Sequence, residues 1–96
     1  MPIKVRGYLT FREIIGEREI AITDGEALTV NDLLIRLSEE LGQRFREIIY
    51  DPQTKILAEH VAVIINGRSY LNLPEKLATL LKDGDEVAIF PPMAGG

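Results

Sequence analysis

The sequence contains no cysteine and only one histidine, His60. Without cysteine, these residues can form no disulfide, no thiolate zinc site and no cysteine nucleophile. One histidine cannot build a cluster of metal ligands, and a lone histidine at the start of a strand more often has a structural role. We therefore expect no metal site, and any sulfur chemistry must use an atom outside the side chains of this protein.

Long apolar runs and an excess of positive charge are also missing. The longest apolar runs, such as residues 61–65, are far too short to span a bilayer. Charged side chains interrupt the first dozen residues, so we expect no signal peptide and a cytoplasmic location. Eleven basic and 15 acidic residues give a net charge of −4. This balance argues against nucleic acid as a partner, whereas a basic protein surface is easier to accommodate.

The sequence also lacks a recognisable catalytic constellation. Its glycines are scattered singly over the body of the chain, and each can be explained by a bend or turn, so no phosphate-binding loop is indicated. The carboxylates Asp83, Asp85 and Glu86 lie in a predicted turn, where acidic side chains are usually solvated on the surface. We therefore do not expect the chain to be an enzyme by itself.

The first quarter of the chain alternates between apolar and polar residues. Residues 3–11 predict a half-buried strand. Its inward side chains would be Ile3, Val5, Leu9 and Phe11. Residues 17–23 repeat the alternation after a short connection at Gly16, which predicts an antiparallel hairpin.

From Val30 the apolar period becomes helical. The stripe consists of Val30, Leu33, Leu34, Leu37 and Leu41. Thr29 is a suitable N-cap and Gly42 a suitable stop, so the pattern predicts one main amphipathic helix. Residues 43–59 are interpreted mostly as a connection, with a single helical turn through Phe45 and Ile49.

The second half of the chain predicts a further hairpin and a last strand. The apolar residues 61–65 lead into Asn66-Gly67, a dipeptide suited to a tight turn. A short helix over 75–81 and a turn precede the strand 86–90. The order predicts an α+β fold in which a mixed sheet wraps around one main helix with a short second helix, the ubiquitin-like β-grasp. We expect one domain over 1–96, with a flexible C-terminal tail over 91–96.

The tail carries the most informative chemistry. Pro91-Pro92 cannot continue a strand ladder and favour an extended course. Gly95-Gly96 has no Cβ atoms and could thread a channel too narrow for other residues. The carboxylate of Gly96 would be the reactive group once a separate enzyme had activated it, for example by adenylation with ATP. A frayed terminus or a tag remnant is the plain alternative.

Four separated elements resemble the MoaD/ThiS-type sulfur-carrier family, typified by the small subunit of molybdopterin synthase. They are the strand ending in Asn66-Gly67, the turn Asp83-Gly84-Asp85, the strand ending in Phe90-Pro91-Pro92, and Gly95-Gly96. Their order and spacing agree over nearly the whole chain. Thiamine-type carriers also end in glycine pairs, but they are shorter and lack the proline pair.

The resemblance implies a carrier that binds no cofactor itself. An E1-like enzyme would use ATP to adenylate Gly96, and a sulfurtransferase would convert it to a thiocarboxylate. The tail would then enter the large catalytic subunit of molybdopterin synthase, where sulfur is added to a cyclic pyranopterin to form the dithiolene of the molybdenum cofactor. The inserted residues would be Pro91, Pro92, Met93, Ala94 and Gly95. Phe90 would contact a partner, or else belong to the core.

The length of residues 43–60 leaves the pathway open, because this stretch is longer than in compact bacterial carriers. Met93 stands where family members usually have a small or β-branched residue, but this departure changes little because methionine is flexible and apolar. The added length resembles archaeal-type members, which can serve tRNA thiolation or attach to lysines like ubiquitin. The alternatives to the synthase subunit are therefore a ubiquitin-like modifier, a carrier for tRNA thiolation, and an interaction domain with an inert tail.

Overall fold

The computed structural model describes residues 2–16, 19–23, 28–51, 53–54, 57–58 and 60–92. In chain order the strands are β1 (Ile3–Gly7), β2 (Ile20–Ile22), β3 (Ala62–Ile65), β4 (Arg68–Ser69) and β5 (Glu86–Phe90). The α-helices are α1 (Thr10–Ile15), α2 (Val30–Leu41) and α3 (Gln43–Ile49). Two short 3₁₀ turns, Tyr70–Asn72 and Lys76–Ala78, lie between β4 and β5.

The strands form one mixed sheet in the order β2-β1-β5-β3-β4. The central strand β5 runs parallel to β1 and antiparallel to β3, and the outer pairs are antiparallel. The buried inner residues of the sheet and of α2 belong to one apolar cluster. They include Val5, Val63, Val87 and Ile89 from the sheet and Val30, Leu33, Leu34 and Leu37 from the helix. The predicted α+β fold, with a mixed sheet against one main helix, is confirmed.

Helix α2 follows its local sequence signals closely. The Thr29 hydroxyl accepts a hydrogen bond from the Asp32 backbone N–H, and an Asp32 carboxylate oxygen accepts one from the Thr29 N–H, both at 3.0 Å. This capping box satisfies two of the donors left free at a helix start. Gly42 ends the helix with φ of +87°, a conformation that glycine adopts readily. The predicted N-cap, stripe and stop are all confirmed.

The prediction of one long strand over 3–11 is wrong in its second part. β1 ends at Gly7, and Leu9 is exposed in a turn with φ of +56°. Phe11 is fully buried, but it reaches the core from α1. A Cβ at Gly7 would lie 2.9 Å from the Phe11 carbonyl carbon, so the glycine lets the helix pack directly against the strand. The pairing of β1 with β2 is antiparallel as predicted, but the connection between the two strands contains helix α1 rather than only a short turn.

The interpretation of residues 43–59 mostly as a connection also needs correction. Helix α3 occupies Gln43–Ile49 directly after Gly42, so the predicted single turn is longer than expected. Phe45 and Ile49 are fully buried one turn apart, and the Phe45 ring lies 5.2 Å from that of Phe11. Burial of this face against α1 and the core favours helix over loop.

The hairpin between β3 and β4 is confirmed. Asn66 and Gly67 have φ of +51° and +84°, as expected for a tight turn, and β3 pairs antiparallel with β4. The short second helix predicted over 75–81 is present as the 3₁₀ turn Lys76–Ala78.

Candidate functional site

The predicted tail leaves the fold from the end of the central strand. Phe90 is the last residue of β5, Pro91 is buried and Pro92 is exposed. The predicted site residues Met93, Ala94, Gly95 and Gly96 lie outside the described residues. That residues 91–96 form a flexible tail stays a prediction. We call the region formed by Tyr8, Phe90, Pro91 and Pro92 the exit end of β5.

Phe90 lies on the outer face of the sheet, opposite the core. Burial alternates along β5, so Val87 and Ile89 point inward while Ala88 and Phe90 point outward. The Phe90 ring is half-buried and stacks on the ring of Tyr8, with centroids 4.5 Å apart and planes inclined by 7°. Of the two roles considered for Phe90, core packing does not fit this position. Its contact with a partner stays a prediction.

Tyr8 is a residue that sequence reasoning did not select, because the alternation of residues 3–11 places it on the polar face of a strand. In the structure its backbone N–H donates to the Ile89 carbonyl at 3.0 Å, which extends the contact of β1 with β5 by one residue beyond Gly7. An aromatic pair of this kind contributes about 0.5–1.5 kcal/mol beyond its buried area. An aromatic residue at the end of each strand, Tyr8 after β1 and Phe90 in β5, was the available signal for this contact. Only the parallel pairing of β1 and β5 shows that the two residues meet.

A charged pair lies beside the two rings. The Arg6 guanidinium is 3.0 Å from a carboxylate oxygen of Glu19 and also interacts with the side chain of Tyr8. The neighbouring Tyr8 side chain and the charge of Glu19 raise the pKa of Arg6, whose guanidinium is in any case protonated at every physiological pH. The pair is exposed, where ion pairs contribute little to stability. Its effect is therefore to orient Tyr8 more than to hold the fold together.

A shallow depression of about 570 Å³ extends over this outer face. Its lining includes the apolar side chains Ile64, Ala88 and Phe90 and the charged side chains Arg6, Glu19 and Glu86. Apolar residues surrounded by charges of both signs are typical of a protein-binding surface. The apolar part excludes water from the contact, and the charges favour a partner with complementary charges.

The opposite end of β5 is held by side-chain hydrogen bonds. The Asn66 amide nitrogen donates to one Asp85 carboxylate oxygen at 3.0 Å, and the Asn66 amide oxygen accepts from the Glu86 N–H at 2.9 Å. The second Asp85 oxygen accepts from the Lys82 N–H at 2.8 Å. We call the group Asn66, Lys82, Asp85 and Glu86 the clasp. Two separate sequence motifs, Asn66-Gly67 and Asp83-Gly84-Asp85, thus meet in one hydrogen-bonded unit.

Among the described residues, no group of three or more histidine, cysteine or acidic side chains is placed to hold a metal ion. His60 is exposed. No helix in the described part of the chain has the length and apolar character needed to cross a membrane.

Comparison with known proteins identifies the family. Residues 8–96 match the ThiS family. The chain is 38% identical to small archaeal modifier protein 3 of Haloferax volcanii and 32% identical to the molybdopterin synthase sulfur carrier subunit of Chlamydomonas reinhardtii, in each case over all of both chains. The solution structure of small archaeal modifier protein 1 from Methanosarcina acetivorans is similar with a TM-score of 0.80 and 33% identity, covering 99% of this chain and 96% of that one. The protein therefore belongs to the ThiS family of sulfur carriers with the ubiquitin-like β-grasp fold.

Proposed function

We propose that this protein is a sulfur carrier that serves as the small subunit of molybdopterin synthase, with sulfur carried as a thiocarboxylate on Gly96. The observation that carries the proposal is the extent of the family match, which runs through Gly96. The glycine pair is therefore part of the matched pattern. The full-length similarity to the Chlamydomonas sulfur carrier subunit supports the molybdenum cofactor pathway.

The chemistry proceeds in two stages on the Gly96 carboxylate. First, a carboxylate oxygen attacks the α-phosphorus of ATP on an E1-like enzyme and pyrophosphate leaves, which gives an acyl adenylate. Second, a persulfide sulfur of a sulfurtransferase attacks the carbonyl carbon and AMP leaves. A thiol then reduces the resulting acyl disulfide to release the thiocarboxylate. ATP is bound by the partner enzyme, and the carrier contributes the carboxylate and no catalytic side chain.

The exit end suits this role because it separates the body from the reactive atom. Pro91 is buried against the body and Pro92 is exposed, so the buried part of the chain ends at Pro91. The four residues beyond Pro92 can reach at most about 13 Å. Residues 91–95 would enter the large catalytic subunit, while Phe90 and the outer sheet face contact the partner surface. The setting would be the cytoplasm.

Intact-mass spectrometry tests the proposal directly. The protein is incubated with its adenylating enzyme, ATP, a sulfurtransferase, a sulfur donor and a thiol reductant, and we expect its mass to rise by the difference between sulfur and oxygen. Addition of the large synthase subunit and the cyclic pyranopterin should return the mass to its starting value. A variant lacking Gly96 is the control and should keep its mass throughout. Wild-type protein that remains unchanged under these conditions would contradict the proposal.

A second candidate function rests on the relative from Haloferax. Its name describes a modifier protein, and it is 38% identical to this chain over the full length of both. In this alternative the activated Gly96 carbonyl is attacked by a lysine amine, AMP leaves and an isopeptide bond forms. Heavier conjugates in cell extract that disappear when Gly96 is deleted would support the modifier. Use of the thiocarboxylate in tRNA thiolation would instead appear as loss of thiolated tRNA in the same deletion strain.

A further inference from the structure

We propose that Tyr8 is a positioning residue, which sets the direction of the tail by holding Phe90 in a ring stack. This inference rests on the proposed function, because it concerns delivery of the Gly96 carboxylate to an activating enzyme. It assigns a role to a residue that lies far from Gly96 in sequence and adjoins the start of the tail in space.

The position of Phe90 at the boundary of the sheet is the first support. On one side Phe90 pairs with Ala62, the first residue of β3. On the other side the register of β1 with β5 ends at Gly7 and Ile89. On the β1 side, where strand pairing stops, Phe90 is therefore held by the Tyr8 ring instead. The centroids of the two rings are 4.5 Å apart.

The two prolines make the direction of the chain beyond β5 depend on the orientation of Phe90. A proline has a fixed φ near −65° and no N–H, so Pro91 and Pro92 add little rotational freedom between Phe90 and the tail. A small rotation of the Phe90 backbone would therefore change the direction in which Pro91 and Pro92 leave the sheet. A displacement of about 1 Å at a reacting group can lower a rate by about 100-fold.

Tyr8 is itself held from two directions. Its backbone N–H is bonded to the Ile89 carbonyl at 3.0 Å, and its side chain interacts with that of Arg6. Arg6 is in turn 3.0 Å from Glu19, which directly precedes β2. The row from Glu19 through Arg6 and Tyr8 to Phe90 thus connects the start of the tail to the β2 edge of the sheet.

Burial indicates that the stack is not needed to complete the core. Both rings are half-buried on the outer face, and neither belongs to the buried cluster or to the residues packed against it. A pair with a purely structural role would be expected among the buried side chains.

Steady-state kinetics with the E1-like enzyme, together with the sulfurtransferase, its sulfur donor and a thiol reductant to consume the acyl adenylate, tests the proposal. Pyrophosphate release is measured over a range of carrier concentrations, which separates kcat from KM. We expect Tyr8→Ala to lower kcat about tenfold, because the tail is misdirected in the bound complex. Tyr8→Phe keeps a ring for the stack and should stay within about twofold of wild type. Leu71→Ala, which changes an exposed apolar residue outside the exit end, is the matched control.

A double variant distinguishes positioning from independent contacts. If the two rings act as one unit, Tyr8→Ala combined with Phe90→Ala should lower kcat no further than the more harmful single change. Losses that multiply, a rise in KM with unchanged kcat, or a loss explained by unfolding at the assay temperature would each overturn the proposal. If the wild-type protein is turned over and the Tyr8→Ala variant has the same kcat, this inference alone is overturned. Absence of wild-type turnover contradicts the proposed function and this inference with it.

Discussion

The two ends of strand β5 are held in different ways. At the clasp, the Asn66 and Asp85 side chains make three hydrogen bonds of 2.8–3.0 Å to each other and to backbone N–H groups. At the exit end, the Tyr8–Phe90 ring stack and the Tyr8 N–H bond to the Ile89 carbonyl hold the last residues of the strand on the β1 side, and pairing of Phe90 with Ala62 holds them on the β3 side. The clasp fixes the register of the central strand, whereas the exit end directs the chain beyond it.

The difference suggests a division between stability and chemistry. Directional hydrogen bonds specify one geometry, so the clasp is suited to locking β5 between its neighbours. A half-exposed aromatic stack presents apolar surface while it orders the backbone. Damage at the clasp should therefore lower the free energy of unfolding, and damage beyond the exit end should lower activity.

The largest effect is expected beyond the exit end. Deleting Gly95 and Gly96 leaves the terminal carboxylate on Ala94, two residues short of its normal position and without the glycine pair, so thiocarboxylate formation should fall to background. The midpoint of thermal unfolding should stay that of wild type, because the deletion lies beyond the last strand. Mass spectrometry measures the loss of thiocarboxylate formation, and calorimetry measures the midpoint of thermal unfolding. A shorter chain that still acquires sulfur would show that the reactive group lies elsewhere.

At the clasp, Asn66→Ala should lower the free energy of unfolding by about 2–3 kcal/mol. The change removes two side-chain hydrogen bonds and places a less tolerant residue at φ of +51°. Asn66→Gly removes the same bonds but accepts that φ, so it should cost about 1–2 kcal/mol. Denaturant unfolding measures both. Equal losses in the two variants would show that backbone strain plays no part.

Gly7, the last residue of β1 and the neighbour of Tyr8 in the exit end, tests the close packing of helix α1 on β1. In Gly7→Ala the new Cβ would lie 2.8 Å from Ile15 Cδ1 and 2.9 Å from the Phe11 carbonyl carbon. Overpacking of this kind should lower the free energy of unfolding by about 2 kcal/mol. Adding Ile15→Val removes the crowded Cδ1 and should recover part of the loss in denaturant unfolding. A Gly7→Ala protein as stable as wild type would argue against close packing of α1 on β1.

Leu9 is expected to give the smallest effect, and in the opposite direction. Its φ of +56° and ψ of −122° suit glycine, and its side chain is 54% exposed. Leu9→Gly should therefore raise the free energy of unfolding by about 0.5–1 kcal/mol, since relief of strain exceeds the entropy cost of glycine. Leu9→Ala keeps the backbone strain and should leave stability near wild type in the same measurement. Stabilisation by alanine instead would assign the cost to the exposed side chain.

The sequence predicted those elements whose signals are local. Helix α2 has its cap, its apolar stripe and its stop within 14 residues, Thr29 to Gly42, so each could be recognised without the fold. The turn at Asn66-Gly67 and the last strand were predictable for the same reason. Helix α1 was missed because Leu9 and Phe11 continue the alternation of β1 by coincidence, while Phe11 is buried from a helix.

Contacts between distant segments were beyond reach of a single sequence. Asn66 and Asp85 were recognised as separate turn residues, and only the pairing of β3 with β5 brings them into one clasp. The Tyr8–Phe90 stack depends on the parallel pairing of β1 with β5, which no local period encodes. Gly96 was selected from the chemistry of the chain end and from family resemblance, and its reactivity awaits experiment.

The central claim is that one carboxylate beyond the exit end carries the chemistry while the folded body serves for docking. Fragment mass spectrometry of the activated protein tests it most directly, because it locates the added sulfur along the chain. The account predicts that only fragments containing Gly96 carry the sulfur-for-oxygen mass difference. Sulfur on a fragment from the folded body, with an unmodified C-terminal fragment, would contradict it.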